Sequence, residues 1–196
     1  MTRTEDVAAA VELGVNAIGV ILHADSPRLI TKRTAKDLRK HIPSGVLMVG
    51  VFVNASLETI NELSSEIGLD LIQLHGNESN SFGKSLNKPF IKAIRVKQNE
   101  SFEAELNSYP DACAILLEPY VDGKQGGSGR ALDINLWPKH VKQKLILAGG
   151  LSASNLQITL YQINPFALDL NSGVEVAPGI KDVDLMKEAV SVINCG

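Results

Sequence analysis

Apolar residues gather in seven short, nearly unbroken runs: Ala17–Leu22, Val46–Val53, Leu69–Leu74, Phe90–Val96, Ala112–Leu117, Lys144–Ala148 and Phe166–Leu170. Near-continuous hydrophobicity of this kind is what a strand buried on both faces requires, as in a parallel sheet covered by helices. Between the runs, apolar positions return every three or four residues. These segments read as helices at Thr4–Leu13, Thr31–His41, Ser56–Ile67, Ser79–Leu86, Ser101–Ser108, Ile134–Val141, Ser152–Ile163 and Asp182–Ile193. Thr4 stands where it can cap the first helix, with Glu5 and Asp6 in its opening turn and Gly14 at its end.

The pattern therefore gives eight helices for seven strands and begins on a helix. An eightfold β/α alternation that closes on itself begins on a strand, so the expected fold is a (β/α)₈ TIM barrel lacking its first strand as given, in one domain spanning residues 1–196. An open doubly wound sheet is the competing arrangement. It normally carries a glycine-rich fingerprint after its first strand, and the residues after Leu22 hold none.

Two of the turns carry candidate chemistry. Leu147-Ala148-Gly149-Gly150-Leu151 and Asp169-Leu170-Asn171-Ser172-Gly173-Val174-Glu175 each follow a strand run and open towards a helix. Glycine lets main-chain N–H groups approach a ligand unobstructed, and a helix N-terminus adds partial positive charge. Two consecutive turns of this kind late in the chain match the phosphate site that barrels build after their last two strands. Either turn alone is better explained by a tight bend that needs glycine; the pair favours Gly149, Gly150, Ser172 and Gly173 as a phosphate cradle.

Composition narrows the class. The formal net charge is -3 with the basic residues scattered, which leaves no electrostatic footprint for nucleic acid. The start Met1-Thr2-Arg3-Thr4-Glu5-Asp6 is polar and acidic, unlike a signal peptide, and the longest apolar run, Val46–Val53, is too short to span a bilayer. A cytoplasmic location without membrane contact is expected. Cys113 and Cys195 have neither the spacing of a metal site nor that of a redox pair. No metal or cofactor is expected, and the partner is a small phosphorylated molecule, bound by a monomer or homodimer.

Read in order, several segments resemble the phosphoribosylanthranilate isomerase family of tryptophan biosynthesis. They are Asp25-Ser26-Pro27-Arg28, Val49-Gly50-Val51-Phe52-Val53-Asn54, Gln73-Leu74-His75-Gly76, Leu116-Leu117-Glu118, Gly126-Gly127-Ser128-Gly129, Ala148-Gly149-Gly150-Leu151, Asp169 through Glu175, and Pro178-Gly179-Ile180-Lys181-Asp182. The resemblance implies a barrel and an Amadori rearrangement, in which an acid protonates the ribose ring oxygen and a base removes the proton from C2′. It implies no cofactor.

Carried over residue by residue, the resemblance makes Arg28 the partner of an anthranilate carboxylate, a task its planar fork suits. It gives His75 a minor binding role and Asp169 the orientation of the substrate amine. Gly127 belongs to a loop that covers the site. Glu118 stands where the family has an aspartate as general acid, one methylene further out. The family's base is a cysteine on a strand ending Lys-x-Cys-Gly, and Met1 to Asp6 matches the helix start that follows it. That strand would precede Met1, so the chain as given is expected to be inactive. A non-catalytic sugar-phosphate-binding barrel is the alternative.

Overall fold

The computed structural model describes residues 1–97, 101–120, 132–138 and 141–195. Seven parallel strands form one sheet in strict chain order: β1 (Ala17–His23), β2 (Leu47–Phe52), β3 (Leu71–Leu74), β4 (Phe90–Val96), β5 (Ala114–Pro119), β6 (Leu145–Ala148) and β7 (Ala167–Asp169). Consecutive strands pair throughout, from Ala17 opposite Leu47 to Ala148 opposite Asp169. That is the order of a barrel wall. A doubly wound sheet would reverse its strand order part-way.

The helices are α1 (Thr4–Glu12), α2 (Lys32–Arg39), α3 (Leu57–Ile67), α4 (Asn80–Lys84), α5 (Glu103–Asn107), α6 (Ala153–Gln162) and α7 (Val183–Cys195). Side chains of Thr31, Ser56 and Ser79 accept the amide N–H groups of Thr34, Thr59 and Phe82, capping α2, α3 and α4. Each such cap is worth about 1 kcal/mol. Thr4, expected to cap α1, is instead its first helical residue behind Arg3, which provides no side-chain cap. Gly14 does end that helix, in the left-handed region at φ +80°.

The helix expected over Ile134–Val141 reduces to a 3₁₀ turn at Ile134–Leu136 among the described residues. Pro138 accounts for the stop: its ring disfavours helical geometry in the residue before it, and Trp137 is accordingly extended at ψ 125°. A second departure follows β7. Asn171 leads into a 3₁₀ turn, Ser172–Val174, and then a small antiparallel hairpin of β8 (Glu175–Ala177) and β9 (Ile180–Lys181). Pro178 and Gly179 form its bend, with Gly179 at φ +84° as a proline–glycine turn of type II requires.

The sheet buries both its faces, but unequally. Its outer face packs on the helices through the large cluster that includes Ile18, Val20, Met48, Phe52, Ile72, Leu74, Ile94 and Leu117. The inner face holds a smaller cluster of Val49, Ile91, Ala93, Ala114, Leu116 and Ala148. Alternate residues of β4 and β5 divide between the two, as the period of two along a strand demands.

The curl of the sheet brings its first and last strands to the same neighbourhood. Arg28, in the loop after β1, reaches Glu175 in the hairpin after β7. At the start of the chain the amino nitrogen of Met1 donates to the Gly19 carbonyl of β1 at 2.6 Å, and Thr2 Oγ1 donates to the Gly179 carbonyl.

Candidate active site

Side chains that follow the inner face upward end at the C-terminal edge of the strands. Leu116 and Ala148 lie in the inner cluster, so Glu118, two residues beyond Leu116, shares that face. Leu117 is opposite Leu147 and Ala148 is opposite Asp169, which sets Glu118, Ala148 and Asp169 in one lateral row across β5, β6 and β7. The middle member is small, so two carboxyl groups look into a common space. Arg95 pairs with Glu118 across β4 and β5 and completes the row.

Glu118 is buried and held at one oxygen. Its Oε1 accepts from His75 Nε2 at 2.8 Å and from Arg95 Nε at 3.1 Å. Gln73 Nε2 lies 3.0 Å from His75 Nδ1. Set against the carboxylate, the imidazole carries a hydrogen on Nε2, while Nδ1 meets the Gln73 amide. Burial pushes the Glu118 carboxyl pKa up, but the hydrogen bonds and charges of His75 and Arg95 outweigh it and hold the group below its ordinary value. Glu118 is therefore ionised at neutral pH.

Asp169 behaves in the opposite way. Its side chain is exposed at the end of β7. Desolvation among the strand ends, reinforced by the charge of Glu118, raises its pKa against the opposing pull of His75 and Lys181. Two carboxyl groups in one cavity with pKa values pushed apart are the arrangement from which proton donors and acceptors are made.

At the junction of the first and last strands, Arg28 Nη2 and Glu175 Oε2 are 2.6 Å apart, and Arg28 Nε is 3.0 Å from the same oxygen. Arg28 thus already has a partner within the protein. Its side edge is committed to Glu175, and the edge between Nη1 and Nη2 remains for a ligand. Lys181 Nζ holds the other side of Glu175 at 3.0 Å and also contacts Asn171 O and Oδ1 at 2.8 and 2.9 Å. Burial pushes the Glu175 carboxyl up, but Arg28 and Lys181 outweigh it and hold it below its usual range.

The two glycine turns lie against one another. Gly149 and Gly150 take φ +92° and +57°, so both need the left-handed freedom of glycine. Gly173 needs its missing side chain for another reason: a Cβ there would stand 1.9 Å from the Leu151 carbonyl oxygen. Ser172 and Gly173 therefore sit directly on the β6–α6 turn. Asn155 ties that turn by donating from Nδ2 to Gly150 O at 2.8 Å and accepting from Ser152 N at 2.9 Å.

Of the residues singled out in sequence, the structure joins His75 to Glu118 and brings both within electrostatic reach of Asp169, and it sets Ser172 and Gly173 against the turn of Gly149 and Gly150. Arg28 lies in the loop after β1. Gly127 and its loop lie outside the described residues. Sequence reasoning missed Gln73, Arg95, Glu175 and Lys181. Arg95 was legible as a charged residue near the C-terminal end of an apolar run, where barrel side chains meet ligands. No group of residues among those described has the make-up of a metal site.

A family model described as N-(5'-phosphoribosyl)anthranilate (PRA) isomerase matches residues 1–192. The chain belongs to this family. It is 42% identical over 194 residues to the N-(5'-phosphoribosyl)anthranilate isomerase of Pseudomonas fluorescens strain Pf0-1, covering 99% of this chain and 95% of that one. It is 44% identical over 182 residues to the enzyme of that name from Pseudomonas putida strain GB-1, covering 93% and 88%. Among solved structures, the phosphoribosyl anthranilate isomerase of Thermotoga maritima superposes with a TM-score of 0.88 at 30% identity, covering 100% of this chain and 96% of that one. A phosphoribosyl anthranilate isomerase in complex with reduced 1-(o-carboxyphenylamino)-1-deoxyribulose 5-phosphate superposes with a TM-score of 0.84 at 31% identity, over the same shares. The seven-stranded wall is thus the wall of the isomerase family's TIM barrel.

Proposed function

We propose that this protein converts N-(5'-phosphoribosyl)anthranilate to 1-(2-carboxyphenylamino)-1-deoxyribulose 5-phosphate in tryptophan biosynthesis. The observation that carries the reading at the level of chemistry is the inward carboxyl of Glu118. One oxygen is fixed by His75 and Arg95, and the reading gives the other to the substrate. The reading places the phosphate in the cradle of Gly149, Gly150, Ser172 and Gly173, and the anthranilate carboxylate on the open edge of Arg28. The sugar then lies over Glu118 and Asp169.

Ring opening needs a proton on the ribose ring oxygen. Glu118 is ionised before substrate binds, so it must acquire that proton as substrate arrives. A bound phosphate and carboxylate bring negative charge, which favours the neutral acid. Asp169, whose carboxyl is shifted upward, holds its proton to higher pH and faces the substrate amine. No cofactor takes part. The protein acts in the cytoplasm as a monomer or homodimer, with no nucleic acid or membrane partner.

The test follows the fluorescence of the anthranilate conjugate during turnover. Glu118→Gln, nearly isosteric, should lower kcat by a factor on the order of 100 or more, the usual contribution of a positioned acid. A Glu118→Gln variant with undiminished turnover would remove Glu118 from the mechanism.

A further inference from the structure

Beyond the residues assigned above, Arg95 stands out because its position looks like that of a wall residue while its bonds do not. It lies on β4, the register partner of Glu118 on β5. Its guanidinium spans two strand ends, donating from Nε to Glu118 Oε1 at 3.1 Å and from Nη2 to the His75 carbonyl at 3.1 Å. His75 Nε2 approaches the same oxygen of Glu118 from β3. Two donors from two strands thus converge on one oxygen of one carboxylate, and neither takes the other.

Building on the proposed role of Glu118, we propose that Arg95 is a positioning residue: with His75 it locks Oε1, so that the glutamate takes one rotamer and presents Oε2 to the ring oxygen. The need for such a lock is physical. A glutamate has one more rotatable bond than an aspartate, and a displacement of about 1 Å at a reacting atom can cost on the order of 100-fold in rate. Two donors bound at Oε1 remove that freedom, because a bifurcated, charge-assisted acceptor cannot turn without breaking both bonds. The charged groups facing Glu118 are His75 from β3, Arg95 from β4 and Asp169 from β7; Ala148 on β6 contributes none.

Arg95→Met is compared with wild type, with Arg95→Lys and with Glu118→Gln for kcat, KM and the pH profile of kcat. The expected result for Arg95→Met is a fall in kcat on the order of tenfold or more with KM nearly unchanged. The upper limb of the profile, where the acid loses its proton, should also move to higher pH, because Glu118 loses a cation. Arg95→Lys, which keeps the charge but cannot bridge to the His75 carbonyl, should restore the limb and only part of kcat. In the Glu118→Asp background the shorter side chain withdraws from the lock, so Arg95→Met should cost far less there. A merely structural arginine would lower the amount of folded protein and leave the profile in place, so an unmoved profile with an unchanged kcat overturns the inference. If Arg95→Met does not fold, the profile and kcat of Arg95→Lys decide in the same sense. If Glu118→Gln retains full activity, the assignment of Glu118 falls and this inference with it. If Glu118→Gln is inactive while both Arg95 variants match wild type, only the inference falls.

Discussion

Arg28 and Glu175 are 147 residues apart in the chain and 2.6 Å apart in the fold, joined through the side edge of the guanidinium. The contact links the loop after the first strand to the hairpin after the last, and it orients the arginine's remaining edge. Both side chains are largely buried, Glu175 at 4% exposure and Arg28 at 15%. Breaking a buried pair leaves a cation without its counter-charge and costs about 3 to 5 kcal/mol. Glu175→Gln exposes Arg28 and Lys181 to one another and should lower stability by about that amount. The same change should raise KM for the anthranilate conjugate with little effect on kcat. Urea unfolding and steady-state kinetics on one preparation check both.

Arg28→Ala and Gly173→Ala divide the ligand into its two ends. Loss of Arg28 should weaken ligands that carry an anthranilate carboxylate and leave ribose 5-phosphate nearly untouched. At Gly173 the added Cβ would meet the Leu151 carbonyl at 1.9 Å, which forces the two turns apart. That variant should weaken both ligands. Calorimetric titration with both ligands reads the result, and equal weakening by Arg28→Ala would mean that the carboxylate binds elsewhere.

Asp169→Asn should stabilise the protein at neutral pH while it slows turnover. The folded state raises the pKa of Asp169, so ionising it costs more in the folded than in the unfolded chain. Removing the charge relieves that cost. The gain is present above the folded-state pKa and disappears below the ordinary aspartate value, where the wild-type side chain is already neutral. Thermal unfolding of both proteins across this range checks the sign. A loss of stability at neutral pH would contradict the raised pKa assigned to Asp169.

Asp6, Glu118 and Glu175 predict the opposite trend for the whole molecule. For each, burial pushes the pKa up, and paired cations, Arg3 for Asp6 among them, pull it down further. Their contribution to stability is present above the ordinary carboxylate range and is lost as pH falls through their lower folded values. Among the described residues these three and the exposed Asp37 and Glu66 are depressed and only Asp169 is a raised carboxyl, so acid unfolding should be steep below that range. Replacing Asp6 with Asn should flatten it, as followed by circular dichroism against pH.

The strands were legible because both of their faces are buried, so each run is apolar throughout and needs no alternation to announce it. Their order followed from the helices between them. Arg95 and Gln73 escaped notice for the same reason that the strands did not: inside an apolar run a polar residue reads as noise until the face it points to is known. The β8–β9 hairpin had its signal in Pro178-Gly179, but the glycine turn just before it drew the whole segment into one reading. Trp137 and Pro138 likewise marked the end of a helical turn that apolar spacing had extended. Pairings such as Arg28 with Glu175 or Lys181 with Asn171 had no local signal, since nothing in sequence spacing reports which loops meet.

Below the loop that carries His75, Lys92 is fully buried on the outer face of β4. Its Nζ contacts the carbonyls of Leu74 and Gly76 at 3.3 and 2.5 Å and stands 3.5 Å from Glu78. Glu78 in turn accepts from the amides of Asn54 and Gly76. Such a strut constrains how lineages of this protein can drift. Lys92→Met alone would strand the Glu78 carboxylate, and Glu78→Leu alone would strand the ammonium and two amides, so each single step passes through a damaged protein. The two positions are expected to change together or stay fixed, and paired replacement should cost less than the sum of the two single ones. A folding requirement of the β3–α4 loop thereby restricts which sequences can reach the catalytic geometry at all.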